Sequence, residues 1–128
     1  MTPPRWLDKR DLLILHAESL ADHGGAEGLR DEGLLDSALA RPQNMTAHGG
    51  PDMFLMAAAY ALGIAKNHPL VDGNKRAAFL AAGVFLELNG WRLEADPDVA
   101  TAAVFDLAAG DLDEDGFAAW LRESCVEG

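Results

Sequence analysis

Apolar residues in this chain recur at helical spacing and almost never alternate. From Asp8, the stretch DKRDLLILHAESLAD sets Leu13, Ala17 and Leu20 on one face, and Asp8 is a capping residue type, so a first helix is predicted there. His23-Gly24-Gly25 supplies its stop. Asp31 caps a predicted second helix, DEGLLDSALAR, which Pro42 should end. QNMTAHGGP then reads as a loop of turn-formers, either an ordinary surface loop or a flap for a docking target. Pro51-Asp52 opens a third helix through MFLMAAAYALGIAK. From Ala77 to Leu88 the sequence is AAFLAAGVFLEL, with Glu87 its one charged residue. A helix apolar all round is a buried one. Asn89-Gly90 closes it, and WRLEA is a short extended stretch. Asp96-Pro97-Asp98 starts a fifth helix that Gly110 ends, and Asp113 caps a last one through Phe117, Trp120 and Leu121. Strand signals are nearly absent, because β-branched residues are few and do not alternate. The pattern predicts an all-α fold: a compact bundle of five or six helices around a buried central helix, forming a single domain over residues 1–128.

Composition narrows the class. The chain has 128 residues, 49% of them apolar and 24% charged, which suits one globular domain. The formal net charge of −11 should repel nucleic acid and anionic membranes, so direct nucleic-acid binding is not expected. A lone cysteine, Cys125, forms no internal disulfide and belongs to no zinc spacing. The N-terminal stretch lacks an apolar run with a cleavage site, and no run of about 18 apolar residues could span a bilayer. A cytoplasmic protein with no membrane association is expected.

Charge is distributed unevenly. From Leu93 onward there are ten acids and one base, Arg122, whereas Lys66–Arg76 carries three bases and one acid. That cationic island contains HPLVDGNKR, His68 to Arg76, at the lip of the apolar fourth helix. Asp72-Gly73-Asn74 is a tight-turn sequence that leads straight into the helix. The first turn of a helix has unpaired N–H groups and the positive end of the dipole, and a phosphate is a natural occupant. Lys75 and Arg76 add formal positive charge at the same end, against the usual dipole compensation, as an anionic ligand would require. Asp72 offers an oxygen ligand for Mg²⁺ beside that phosphate, and His68 is a base near neutral pH. The set suits phosphate-transfer chemistry driven by positioning and electrostatics. Each part also has a structural alternative: His68 as a loop residue, Asp72 as an N-cap, Gly73-Asn74 as a turn, and the two cations as solvated side chains. The motif is not a phosphate-binding P-loop, since Lys75 is followed by arginine with no upstream glycine at the required distance.

HPLVDGNKR resembles the histidine-loop signature of the Fic/Doc (Fido) family, H-x-F-x-[DE]-G-N-[GK]-R. Lys75, where Fic enzymes carry glycine, points to the Doc, or death-on-curing, branch, as do GLRDEGLLDSALARPQ and FLELNG. The resemblance implies a helical bundle with the signature before a central helix. It implies His68 as general base on a target hydroxyl, Asp72 as the Mg²⁺ ligand, and Gly73, Asn74, Lys75 and Arg76 as binders of nucleotide phosphates. It further implies a toxin kinase that moves the γ-phosphate of ATP to a threonine of elongation factor Tu, blocking translation, and that a Phd-like antitoxin neutralises. Two other activities share the fold: Fic-type AMP transfer to a protein hydroxyl, and a catalytically silent binding module. Leu70 replaces the usual phenylalanine as an apolar anchor, and Phe79 stands where AMP-transferring members carry a second arginine. The self-inhibitory segment [ST]-x-x-x-E-[GN] is missing, so inhibition is expected from a separate chain.

Overall fold

Side-chain caps define most of the helix starts. The computed structural model describes residues 4–45 and 52–128. Helix α1 spans Lys9–His23; Asp8 accepts from the Arg10 N–H, and Gly24 stops it at φ 84°. Helix α2 spans Glu32–Met45, with Asp31 accepting from the Leu34 N–H at 3.0 Å. Asp52 caps α3, Met53–Asn67, through the Phe54 and Leu55 N–H groups. Helix α4 spans Asn74–Leu88. Asp96 caps α5, Pro97–Ala109, and Asp113 caps α6, Glu114–Ser124. Each such carboxylate satisfies N–H groups that the helix itself leaves unpaired.

Pro42 does not end α2, which continues one turn past it. The missing N–H falls near the helix end, and the ring is fully buried, so packing compensates for the lost bond. The expected QNMTAHGGP loop falls mostly outside the described residues, with Gln43–Met45 belonging to α2.

The fold is all-α apart from one small sheet. Strand β1, Trp91–Leu93, pairs antiparallel with β2, Cys125–Glu127, in the register Trp91↔Glu127 and Leu93↔Cys125. This ties the C-terminal end of the described chain to the exit of α4. A three-residue CVE carries too little pattern to announce a strand.

The most enclosed helix is α3, which touches α2, α4, α5 and α6. Ten of its residues are buried, including Met56, Tyr60 and Ile64. Helix α4 packs along it through Ala77, Ala78, Ala81, Ala82 and Phe85. Small residues on both faces let the two backbones approach closely. The outward side of α4 is only partly covered: Phe79 and Val84 are half-buried and Leu88 is exposed. The central position is therefore shared by two helices, with α3 the deeper. In α1 the buried stripe is Leu12, His16 and Leu20, one residue off the predicted face at its first two positions. No helix among the described residues is long and apolar enough to cross a membrane.

Candidate active site

The segment between α3 and α4 carries His68, Asp72 and Gly73, and α4 opens with Asn74, Lys75 and Arg76. The two helices pack side by side, so the end of one and the start of the other meet, and all six predicted site residues fall within one turn and one helix end.

His68 terminates α3. Its N–H bonds the Ile64 carbonyl at 3.2 Å, and its backbone is left-handed at φ 49°, ψ 54°. It is the one non-glycine residue with positive φ among the described residues. For an L-residue that conformation costs roughly 1–2 kcal/mol, so its surroundings must hold it. The side chain is exposed. Its Nδ1 lies 3.5 Å from the Asn74 amide nitrogen, too far to fix the ring's tautomer and close enough to orient it.

Arg30 holds the backbone at the entry to this turn. Its Nε donates to the His68 carbonyl at 2.6 Å and its Nη2 to the Asn67 carbonyl at 2.8 Å. The Arg30 and Asp31 N–H groups both donate to the Pro69 carbonyl, and the Val71 N–H donates to the Gly28 carbonyl. Leu70, buried as the expected anchor, bridges to Leu29.

The far side of the turn is held by α1. His16 Nε2 lies 2.8 Å from the Asp72 carbonyl oxygen. A carbonyl only accepts, so Nε2 carries the proton. His16 is 4% exposed. Gly73 has φ 73°, and a Cβ there would stand 3.2 Å from His16 Nε2, so both conformation and space call for glycine.

Asp72 is exposed and is not the N-cap of α4; that position is Gly73. Its carboxylate accepts from the Gly73 N–H at 2.8 Å and from the Ala26 N–H at 3.3 Å. No cationic side chain pairs with it among the described residues, so its remaining lone pairs fit a divalent cation. Among the described residues no cluster of three or more metal-ligating side chains exists, so Asp72 would be a single protein ligand.

Helix α4 has no side-chain cap, and its first internal bond runs from the Ala77 N–H to the Gly73 carbonyl. The N–H groups of Asn74, Lys75 and Arg76 are thus left without a helical partner, which is the arrangement that receives an anion. Arg76 is exposed and meets no carboxylate among the described residues. The Lys75 ammonium lies 5.0 Å from the centre of the Phe105 ring in α5, which keeps its charge beside the first turn. Asn74 differs from its neighbours: it is 8% exposed, and its side chain closes the turn by accepting from the Leu70 N–H and donating to the Leu70 carbonyl, each at 3.0 Å. Its backbone N–H is the part left without a partner in the helix. Phe79 is half-buried against the core, so that position adds no second cation.

Arg30 and His16 are the residues that sequence reasoning missed. Arg30 lies inside GLRDEGLLDSALARPQ, and His16 stands four residues from both Leu12 and Leu20 on the buried stripe of α1. The predicted face of Leu13, Ala17 and Leu20 left His16 out, and no pattern pointed to the carbonyls that these side chains meet.

Beside the site, α2 and α3 bound an open groove of about 510 Å³, lined by Ser37, Arg41, Met45, Leu62, Lys66 and Asn67. Its lining residue Asn67 precedes His68 in the chain.

Residues 6–86 match the model of the Fic/DOC family. The chain is 46% identical over 121 residues to a protein named Toxin Doc from Mycolicibacterium smegmatis, covering 91% of this chain and 90% of the relative. It is 30% identical over 119 residues to Protein kinase doc of Escherichia phage P1, covering 92% of this chain and 94% of that protein.

Proposed function

This chain belongs to the Fic/Doc family, and on that premise we propose that it is a Doc-type toxin acting in the cytoplasm as an ATP-dependent protein kinase. Residues 1–128 act as one domain. The kinase moves the γ-phosphate of ATP to a threonine hydroxyl of elongation factor Tu and so blocks translation. A Phd-like antitoxin restrains it.

The observation that carries the reading is the open start of α4. Three main-chain N–H groups without helical partners, Arg76, which meets no carboxylate among the described residues, and the tethered Lys75 stand there, near an exposed histidine. Nucleotide phosphates satisfy these donors, held by Gly73, Lys75, Arg76 and the Asn74 main chain. Asp72 would hold Mg²⁺, which would supply charge neutralisation when bound. His68 takes the proton from the acceptor hydroxyl. The acceptor oxygen forms its bond to the γ-phosphorus as the bond to the β–γ bridging oxygen breaks, and ADP leaves. Lysine rather than glycine at position 75 supports γ-transfer over AMP transfer, since a side chain and a charge at that point disfavour an α-phosphate lying close against the backbone.

The test uses ATP labelled at either the α or the γ position, incubated with the protein and elongation factor Tu. Labelling of the factor from the γ position alone is expected. Labelling from the α position overturns the kinase in favour of AMP transfer. No labelling from either, with ATP still bound, leaves a binding module.

A further inference from the structure

Three main-chain hydrogen bonds and two from one guanidinium splint Gly28–Asp31 against Asn67–Val71. The main-chain bonds to Pro69 and Val71 follow from the pairing of Leu29 with Leu70 and need no particular side chain at position 30. The two side-chain bonds depend on arginine. Its planar fork reaches two successive carbonyls at once, which a lysine ammonium on a flexible stem does not match. Its charge sits at the C-terminal end of α3, where a cation is favoured.

The position it clamps is unusual. Helices that end in a left-handed residue mostly use glycine there, and α3 uses His68. Without a glycine the turn needs outside support, and Arg30 supplies it at the residue's own carbonyl, 2.6 Å away. Arg30 itself is exposed, so this contact contributes little to the core.

Resting on the reading of His68 as the base, we infer that Arg30 is a positioning residue for the transfer reaction: its grip on the Asn67 and His68 carbonyls keeps His68 in the left-handed turn from which its imidazole serves the acceptor. It touches neither nucleotide nor acceptor in this role.

The test combines steady-state kinetics with carbon chemical shifts of the His68 backbone, which report left-handed geometry without any need for activity. In Arg30→Ala, kcat falls about 10- to 100-fold with KM for ATP unchanged, as expected for a displaced base. The His68 Cα and Cβ shifts leave their left-handed values while those of Ala57–Ile64 stay in place. Arg30→Lys, which keeps the charge and one donor, recovers part of the loss. In a His68→Ala background, Arg30→Ala costs nothing further. If Arg30→Ala fails to fold, Arg30→Lys carries the same comparison against the native protein. Unmoved His68 shifts overturn the inference, as does an activity loss undiminished in the His68→Ala background. Should the native protein transfer no phosphate at all, the kinase reading falls, and the chemical shifts still decide whether Arg30 sets the turn.

Discussion

Side chains in HPLVDGNKR divide by what they still have to give. The Asn74 amide is spent on Leu70, and part of the Asp72 carboxylate on two N–H groups. His68 and Arg76 remain exposed, and the first N–H groups of α4 remain unpaired. A phosphate ligand can therefore meet Arg76 and the main chain without help from the imidazole. Replacing His68 with alanine should accordingly cut phosphoryl transfer by about 10²- to 10⁴-fold while ATP affinity stays unchanged. Paired measurements of γ-label transfer and of ATP binding by calorimetry check this, and a variant that keeps near-native turnover would remove His68 from the reaction. That the six residues lie together in space was legible because they are contiguous in sequence, in one turn and the helix start that follows it. Their supports were not. Arg30 and His16 act on backbone carbonyls, which every residue has, at separations of 37, 38 and 56 positions. Neither sequence spacing nor side-chain type records such a contact.

At the scale of elements, the caps were the most legible feature. Asp8, Asp31, Asp52, Asp96 and Asp113 each accept from N–H groups at the start of a helix, as their residue type implies. Interior packing was less legible, because apolar runs in α3 and α4 look alike and only their neighbours distinguish them. Helix α3 is enclosed by four others, and its approach to α2 is fixed by Gly63. A Cβ at Gly63 would stand 3.0 Å from the Ala38 Cβ and 3.1 Å from its Cα. The glycine weakens α3 by propensity and allows the contact by size. Gly63→Ala should then gain helix propensity yet lose stability, by about 1–3 kcal/mol of overpacking, because part of the obstacle is backbone and cannot rotate away. Urea unfolding followed by circular dichroism measures it. A stabilised variant would mean that α2 shifts freely against α3, and the groove that these helices line would then be adjustable.

The molecule as a whole is organised around Tyr60, and its response to alkali should show this. Tyr60 is fully buried on α3, its ring 5.1 Å from that of Phe85, and its hydroxyl oxygen accepts from the Leu7 N–H at 3.1 Å. It thus joins α3, α4 and the segment before α1. Burial pushes its pKa up from the usual value near 10, against the smaller downward pull of the Leu7 bond. The neutral phenol is favoured in the folded state, so below pH 10 Tyr60 adds no pH dependence. Above it the unfolded chain ionises first, and stability falls as pH rises, by at most about 1.4 kcal/mol per pH unit for one group. Cys125, raised from 9.0 by burial, has the same sign from a lower onset, and Lys9, raised from 10.5 first by its bond to Asp36, has it from a higher one. Tyr60 is the chain's one tyrosine, so tyrosinate absorbance reports this group alone. In an alkaline titration, tyrosinate should appear together with the loss of helical circular dichroism and not before it. Tyr60→Phe leaves the Leu7 N–H without an acceptor and should be less stable near neutrality by roughly 1–3 kcal/mol. Its stability should nonetheless decline less steeply above pH 10, keeping only the slope that Cys125 and Lys9 supply. Tyrosinate formed while the helices persist would mean that solvent reaches the centre of the bundle, and that the contact between α3 and the chain before α1 opens on its own.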